Sequence, residues 1–152
     1  MKQLIVLSSL VLSTFTFGCN VGMDALSPIV GGGNANLQPS PSLRFDVTPV
    51  TGVYTEADLF VVPTGEAPVE IIDIWVEGPD SSSFHVDDIE LPIVIAPMQE
   101  AILPVGFSAT RTGTHGGTVY VLLGDVDGDA LSVRVEGMGC RDNNTDHQCD
   151  PN

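Results

Sequence analysis

Lysine is almost missing from this chain, and aromatic residues are few. Lys2 is the single lysine in 152 residues; Arg44, Arg111, Arg134 and Arg141 complete the basic set against 20 Asp and Glu, for a formal charge of −15. A charge of that size repels phosphate backbones and anionic lipid surfaces, which excludes nucleic acid as a partner. Helical periodicity is absent over any convincing stretch, so an all-α fold is excluded. No Ser or Cys stands in a nucleophile context such as G-x-S-x-G, and His85, His115 and His147 lie in three separate segments, so no catalytic set can be assembled from spacing and no enzyme is expected. The longest apolar run, Leu4 to Phe17, falls short of the roughly 20 residues that cross a bilayer.

That run is informative for another reason. Met1-Lys2 supplies a positive start, Leu4 to Phe17 an apolar stretch, and Gly18 a small residue before Cys19, which together read as a bacterial lipoprotein export signal over residues 1–18. Cys19 is the expected lipidation site. Only Gly18 fits the cleavage pattern well; Thr16 and Phe17 stand where a Leu-like and a small residue are usual. The alternative is a plain secretory peptide cut near Gly18, leaving Cys19 a free thiol and the protein secreted. Residues 19–42 are expected to be the lipidated Cys and a flexible tether, with low complexity up to Asn36 and Gly31-Gly32-Gly33 within it. Two or three acyl chains hold firmly where one holds marginally, at about 0.8 kcal/mol per buried methylene. Asn20 rather than Asp after the Cys resembles sorting to an outer membrane, so the expected location is the outer membrane or cell surface, with membrane contact made through the lipid on Cys19.

Loss of Lys2 with the signal takes the charge from −15 to −16. The acidic residues are scattered (Asp46, Glu56, Glu70, Asp73, Asp87, Asp88, Glu90) rather than massed, as on a solvated face of an exported protein. The roughly 110 residues beyond the tether have room for one domain and a modest core. With Cys19 lipidated, Cys140 and Cys149 remain as a pair in an oxidising compartment, and a disulfide pinning an acidic tail over 140–152 is expected. Zinc held by the two Cys and His147 is disfavoured, because C-x8-C is no common zinc spacing.

From Leu43 onward, short apolar or alternating runs are broken by turn residues every 8 to 15 positions, the pattern of an all-β sandwich. The spacing predicts strands at 43–48, 57–62, 69–76, 83–86, 91–95, 100–108, 117–123 and 130–136. Turns fall at Pro63 to Pro68, Gly78-Pro79-Asp80 and Asp127-Gly128-Asp129. Alternation assigns Ala101, Leu103, Val105 and Phe107 to the core, with Val119, Val121 and Leu123, and Leu131, Val133 and Val135. In the third strand Asp73 and Glu77 share parity with Trp75, so Ile72, Ile74 and Val76 are expected inside.

The order of motifs resembles the immunoglobulin-like domain of the abnormal-spindle and hydin (ASH) type, met in exported bacterial proteins of the "choice-of-anchor D" group. The likeness spans Leu43 to Gly139. It rests on Thr64-Gly65, Pro68-Val69-Glu70-Ile71, Phe84-His85-Val86, Pro92, Ile95-Ala96-Pro97, Val105-Gly106-Phe107, Thr112-Gly113 and the closing Glu136-Gly137-Met138-Gly139. Departures are Pro63-Thr64 at an Asn-containing turn, Met98 for a Gly, and Ser108-Ala109 where a Pro follows the Phe. The resemblance implies an immunoglobulin-like β-sandwich of seven to eight strands over residues 43–139, a structural or protein-binding module without enzymatic activity; with the export signal before it, the expected partner is a protein of the cell envelope.

Two segments have metal-ligand character. Asp125, Asp127 and Asp129 could present hard oxygens to calcium from one tight turn, although the downstream Glu of an EF-hand loop is missing and turn chemistry alone explains them. Asp142 to Asp150 is similar to a degenerate thrombospondin type 3 calcium repeat that lacks its Gly. Both support the alternative function, a calcium-dependent glycan-binding or adhesion domain; otherwise no cofactor is expected. His85 is expected at a strand edge and His115 in a turn. Trp75, Tyr54 and Tyr120 form no evident row, and rim packing explains them more simply than a glycan-stacking face built from Trp75 and Tyr120.

Overall fold

Alternating Leu103, Val105 and Phe107, each fully buried, set the pitch of the core, and every neighbouring strand turns its own alternate set toward them. The computed structural model describes residues 34–124, 130–144 and 146–150. It holds nine strands: β1 (Ala35–Gln38), β2 (Ser42–Pro49), β3 (Tyr54–Pro63), β4 (Val69–Glu77), β5 (Phe84–Val86), β6 (Ile93–Ile95), β7 (Ala101–Ser108), β8 (Gly113–Leu123) and β9 (Ala130–Cys140), with a 3-10 turn at Ser81–Ser83. They form two sheets in the orders β1-β3-β7-β5 and β2-β9-β8-β4-β6. All pairings are antiparallel except β2, which runs parallel to β9. The result is an immunoglobulin-like β-sandwich. Between the sheets lie Leu59, Val61, Val69, Ile71, Val119, Val121 and Val135 with the β7 set, each contributing about 1.5–3 kcal/mol by leaving water.

The eight expected strands are all present, and the ninth corrects the boundary of the tether. Residues 35–38, expected within a flexible segment, pair as β1 with Phe60 to Pro63 of β3 and bury Ala35 and Leu37. A four-residue strand with two apolar side chains, directly after a glycine run, carries too little pattern to be read from sequence.

The second correction concerns β4. Its pairing with β8 shifts between Ile71 and Asp73, so Ile72 is the extra residue of a β-bulge and parity changes there. Val69 and Ile71 are buried before the bulge, Ile74 and Val76 pack on the core after it, and Ile72 is left 43% exposed. Ile72 is therefore outside the core and Ile71 within it.

Phe45, Phe84 and Phe107 cluster between the sheets with ring centroids 5.1 to 5.8 Å apart. The closing Gly137-Met138-Gly139 answers to them. An added Cβ at Gly137 would lie 2.5 to 2.7 Å from three Phe107 ring atoms, and one at Gly139 would strike the Arg111 carbonyl oxygen. Both glycines serve close approach.

Candidate functional site

The end of the sandwich where the 3-10 turn meets the start of β8 holds the one Ser, His and carboxylate set among the described residues that resembles catalytic machinery. His115, expected in a turn, is instead wholly buried in β8 beside Ser83, which is 1% exposed. Its Nε2 lies 2.9 Å from the Arg111 carbonyl oxygen. A carbonyl only accepts, so Nε2 carries the proton and Nδ1 accepts from Ser83 Oγ at 3.1 Å. Thr110 Oγ1 donates in turn to Ser83 Oγ at 3.2 Å. Asp80 sits beside this chain, accepting from Gly116 N at 3.1 Å and from Arg111 Nη2 at 2.9 Å. The Gly116 amide and the Arg111 guanidinium hold its carboxyl below the ordinary 3.8.

This set cannot run triad chemistry. A triad needs nucleophile and carboxylate on opposite ring nitrogens. Here Ser83 and Asp80, the latter at 3.9 Å, both face Nδ1, while Nε2 is spent on the main chain. Neither Ser83 nor His115 meets solvent. The network ties the 3-10 turn, the β7–β8 loop and the start of β8 together. Its partners are distant in sequence, so nothing in Thr114-His115-Gly116-Gly117 announces it.

The outer faces carry the exposed chemistry. On the five-stranded sheet Trp75 and Tyr120 are directly opposed across β4 and β8 and stack with centroids 5.2 Å apart at 12°. The two rings expected to form no row thus make a pair, and Glu77 Oε1 accepts the Trp75 Nε1 proton at 2.9 Å. On the four-stranded sheet Tyr54 lies over Gly106, where any Cβ would strike its ring, and packs on His85 at 4.7 Å. Its hydroxyl donates to Asp87 Oδ1 at 3.0 Å. Partial burial of the hydroxyl, that hydrogen bond, and the charges of Asp87 and Glu56 push the phenol up to about 12. His85 stands on β5, an edge strand, with Nε2 3.7 Å from Asp87.

Between these faces one side of the sandwich is open. Among the described residues β6 pairs only with Val69 to Ile71, so β4 from Asp73 to Glu77 has β8 on one side and no described strand on the other. β5, the edge of the second sheet, faces it across a shallow cleft lined by Ile74, Val76, Phe84 and Val86, with Ser81 and Ser82 at the rim.

Among the remaining site expectations, Cys140 and Cys149 are joined in a disulfide, Cα to Cα 5.5 Å. The Cys140 carbonyl also accepts from Val50 N at 3.1 Å. The tail from Asp142 folds back on itself, with Asp142 Oδ2 accepting from Thr51 Oγ1 and His147 N. Cys19 and the calcium candidates Asp125, Asp127 and Asp129 lie outside the described residues. Among the described residues no three His, Cys, Asp or Glu side chains converge as metal ligands.

No protein-family model matches the sequence, and no curated protein matches it. Solved structures do match in fold. The ASH / PapD-like domain 7 of human CEP192 superposes with a TM-score of 0.51 at 15% identity, covering 93% of this chain and 100% of that one. A protein of unknown function from Porphyromonas gingivalis W83 gives 0.51 at 14% identity, over 76% of this chain and 51% of that one. The E. coli chaperone DraB gives 0.51 at 10%, over 70% and 56%. The chain thus spans the whole of the first and about half the length of the other two. Together with the two-sheet topology, these likenesses show the fold, an immunoglobulin-like β-sandwich similar to that of the ASH / PapD-like domain.

Proposed function

We propose that this protein is a non-catalytic binding or structural module of the cell envelope, tethered to the membrane by lipid on Cys19 and engaging a partner protein through the surface of its sandwich. The observation that carries the reading is the placement of reactive groups. The Ser83, His115 and Asp80 set is sealed and misaligned for catalysis, while aromatic, apolar and acidic side chains are spent on outer faces and a free edge. A chaperone and an ASH / PapD-like domain among the structures of like fold support a binding role. The export signal over residues 1–18 and the acidic surface support an envelope address, as a lipoprotein of the choice-of-anchor D kind.

Metabolic labelling with a traceable fatty acid, followed by envelope fractionation, tests the tether. Label and membrane association are both expected in the wild-type chain and lost in Cys19→Ala. An unlabelled, released wild type would replace the tethered module with a secreted one.

A further inference from the structure

We propose that the free edge of β4, Asp73 to Glu77, receives an extended segment of the partner protein as an added strand, and that this segment alternates apolar residues with Lys or Arg. The inference deepens the binding-module reading and rests on it.

Exposed edges invite pairing, and proteins usually blunt them. Here the others are blunted. β1 has four residues and runs into Pro39; β2 follows Pro41, ends in Pro49 and is broken by a register shift after Arg44; β5 has three residues; β6 has three, with Pro92 before and Pro97 after. The free stretch of β4 has no proline, and at its centre Ile74-Trp75-Val76 are strong strand formers. Its backbone is aimed outward. Ile74 N–H donates to Asp73 Oδ1 at 2.8 Å rather than to β8. Because every second residue turns its polar groups to the same side, the Val76 amide and the carbonyls of Ile74 and Val76 face the open side too.

Side chains specify what would pair there. The cleft beside the edge is floored by Ile74, Val76, Phe84 and Val86, which accepts the apolar face of an incoming strand. On the outer face Asp73 and Glu77 flank Trp75, and the cross-strand neighbours of an added strand would meet those carboxylates. Arg111 is paired with Asp80, and Arg134, two strands away in the cross-strand row of Glu77, is paired with Glu136. Positive residues on the outward face of the partner therefore complete the charge.

The test is an NMR titration of the isotope-labelled full chain in detergent micelles, using a short synthetic peptide alternating Val and Lys and its counterpart alternating Val and Glu. The Val/Lys peptide is expected to saturate with a Kd below about 1 mM, shifting the amides of Ile74, Val76 and Phe84 to Val86, and the Val/Glu peptide to bind at least about tenfold more weakly. The exposed charge reversal Asp73→Lys with Glu77→Lys should invert that order. Val76→Pro, which removes an edge N–H without touching the β8 ladder, should abolish binding of either peptide. No saturable binding of the Val/Lys peptide, shifts centred on another edge, or an order indifferent to charge reversal would each overturn the proposal. If the chain still crosslinks to a partner protein in the envelope after such a result, strand addition falls and the module reading stands.

Discussion

Gly137→Ala isolates the packing of the closing strand against the Phe107 ring. The new Cβ would approach Phe107 Cζ, Cε1 and Cε2 at 2.5, 2.6 and 2.7 Å, where carbon atoms rest at about 3.5–4.0 Å. The ring must therefore retreat by roughly 1 Å. Phe45, Phe84 and His115 hold it on its other sides at centroid distances of 5.5, 5.1 and 5.4 Å. Overpacking of this kind costs about 1–3 kcal/mol. Restricting the unfolded chain returns about 0.4–1 kcal/mol, since Gly137 is not among the glycines with positive φ. The net expectation is a loss of about 1–2 kcal/mol, read as a Tm lower by about 5–10 °C in calorimetry or thermal circular dichroism. Phe107→Leu shortens the obstructing group, so the double variant should recover at least about 0.5 kcal/mol relative to the sum of the singles. A Gly137→Ala protein within about 0.5 kcal/mol of wild type, or strictly additive singles, would refute the packing described here.

The remaining expectations follow from the polar contacts and the tail. His115→Ala strips Ser83 and the Arg111 carbonyl of their buried partner and should cost about 2–4 kcal/mol by denaturant titration; a loss under about 1 kcal/mol would show the network to be dispensable. Tyr54 should titrate near 12 when phenolate absorbance is followed. Because its folded-state pKa lies above the ordinary 10.0, its contribution to stability is complete below pH 10 and fades as pH rises through about 12; Tyr54→Phe should remove that alkaline fade. Asp80 shifts the other way, so its contribution is complete above its ordinary 3.8 and is lost as pH falls through its lower folded value; Asp80→Asn should flatten that acid limb of a pH–Tm profile. Converting Cys140 and Cys149 to Ser opens a loop of sequence separation 9 and should lower stability by about 2–3 kcal/mol while far-ultraviolet circular dichroism stays that of a β-protein. Millimolar calcium should leave the Tm of the full chain unchanged; a rise abolished by Asp127→Asn would favour the calcium-dependent alternative.

What sequence could reveal followed what is local. Alternation in β7, β8 and β9 placed Phe107, Val121 and Val133 in the core because nothing interrupts the period of two there. In β4 a single bulge at Ile72 resets that period, and its position depends on the partner strand, which no local pattern encodes. β1 was hidden for a related reason: Ala35 and Leu37 are buried only because β3 extends far enough to pair with them. The site was less legible than the fold. Stacking of Trp75 on Tyr120 is a product of register between β4 and β8, and burial of His115 depends on Ser83, 32 residues away. The closing Gly-x-Gly was visible as a motif, but its cause, one ring and one carbonyl pressed against the backbone, belongs to the tertiary structure.

Crosslinking of the full chain in intact envelopes, followed by mass spectrometry of its adducts, tests the binding-module claim most directly. A recurrent protein adduct is expected, mapped to the sandwich, present with wild type and lost with Asp73→Lys and Glu77→Lys. Absence of any recurrent adduct, or a purified chain whose hydrolytic turnover vanishes in Ser83→Ala or His115→Ala, would contradict the account.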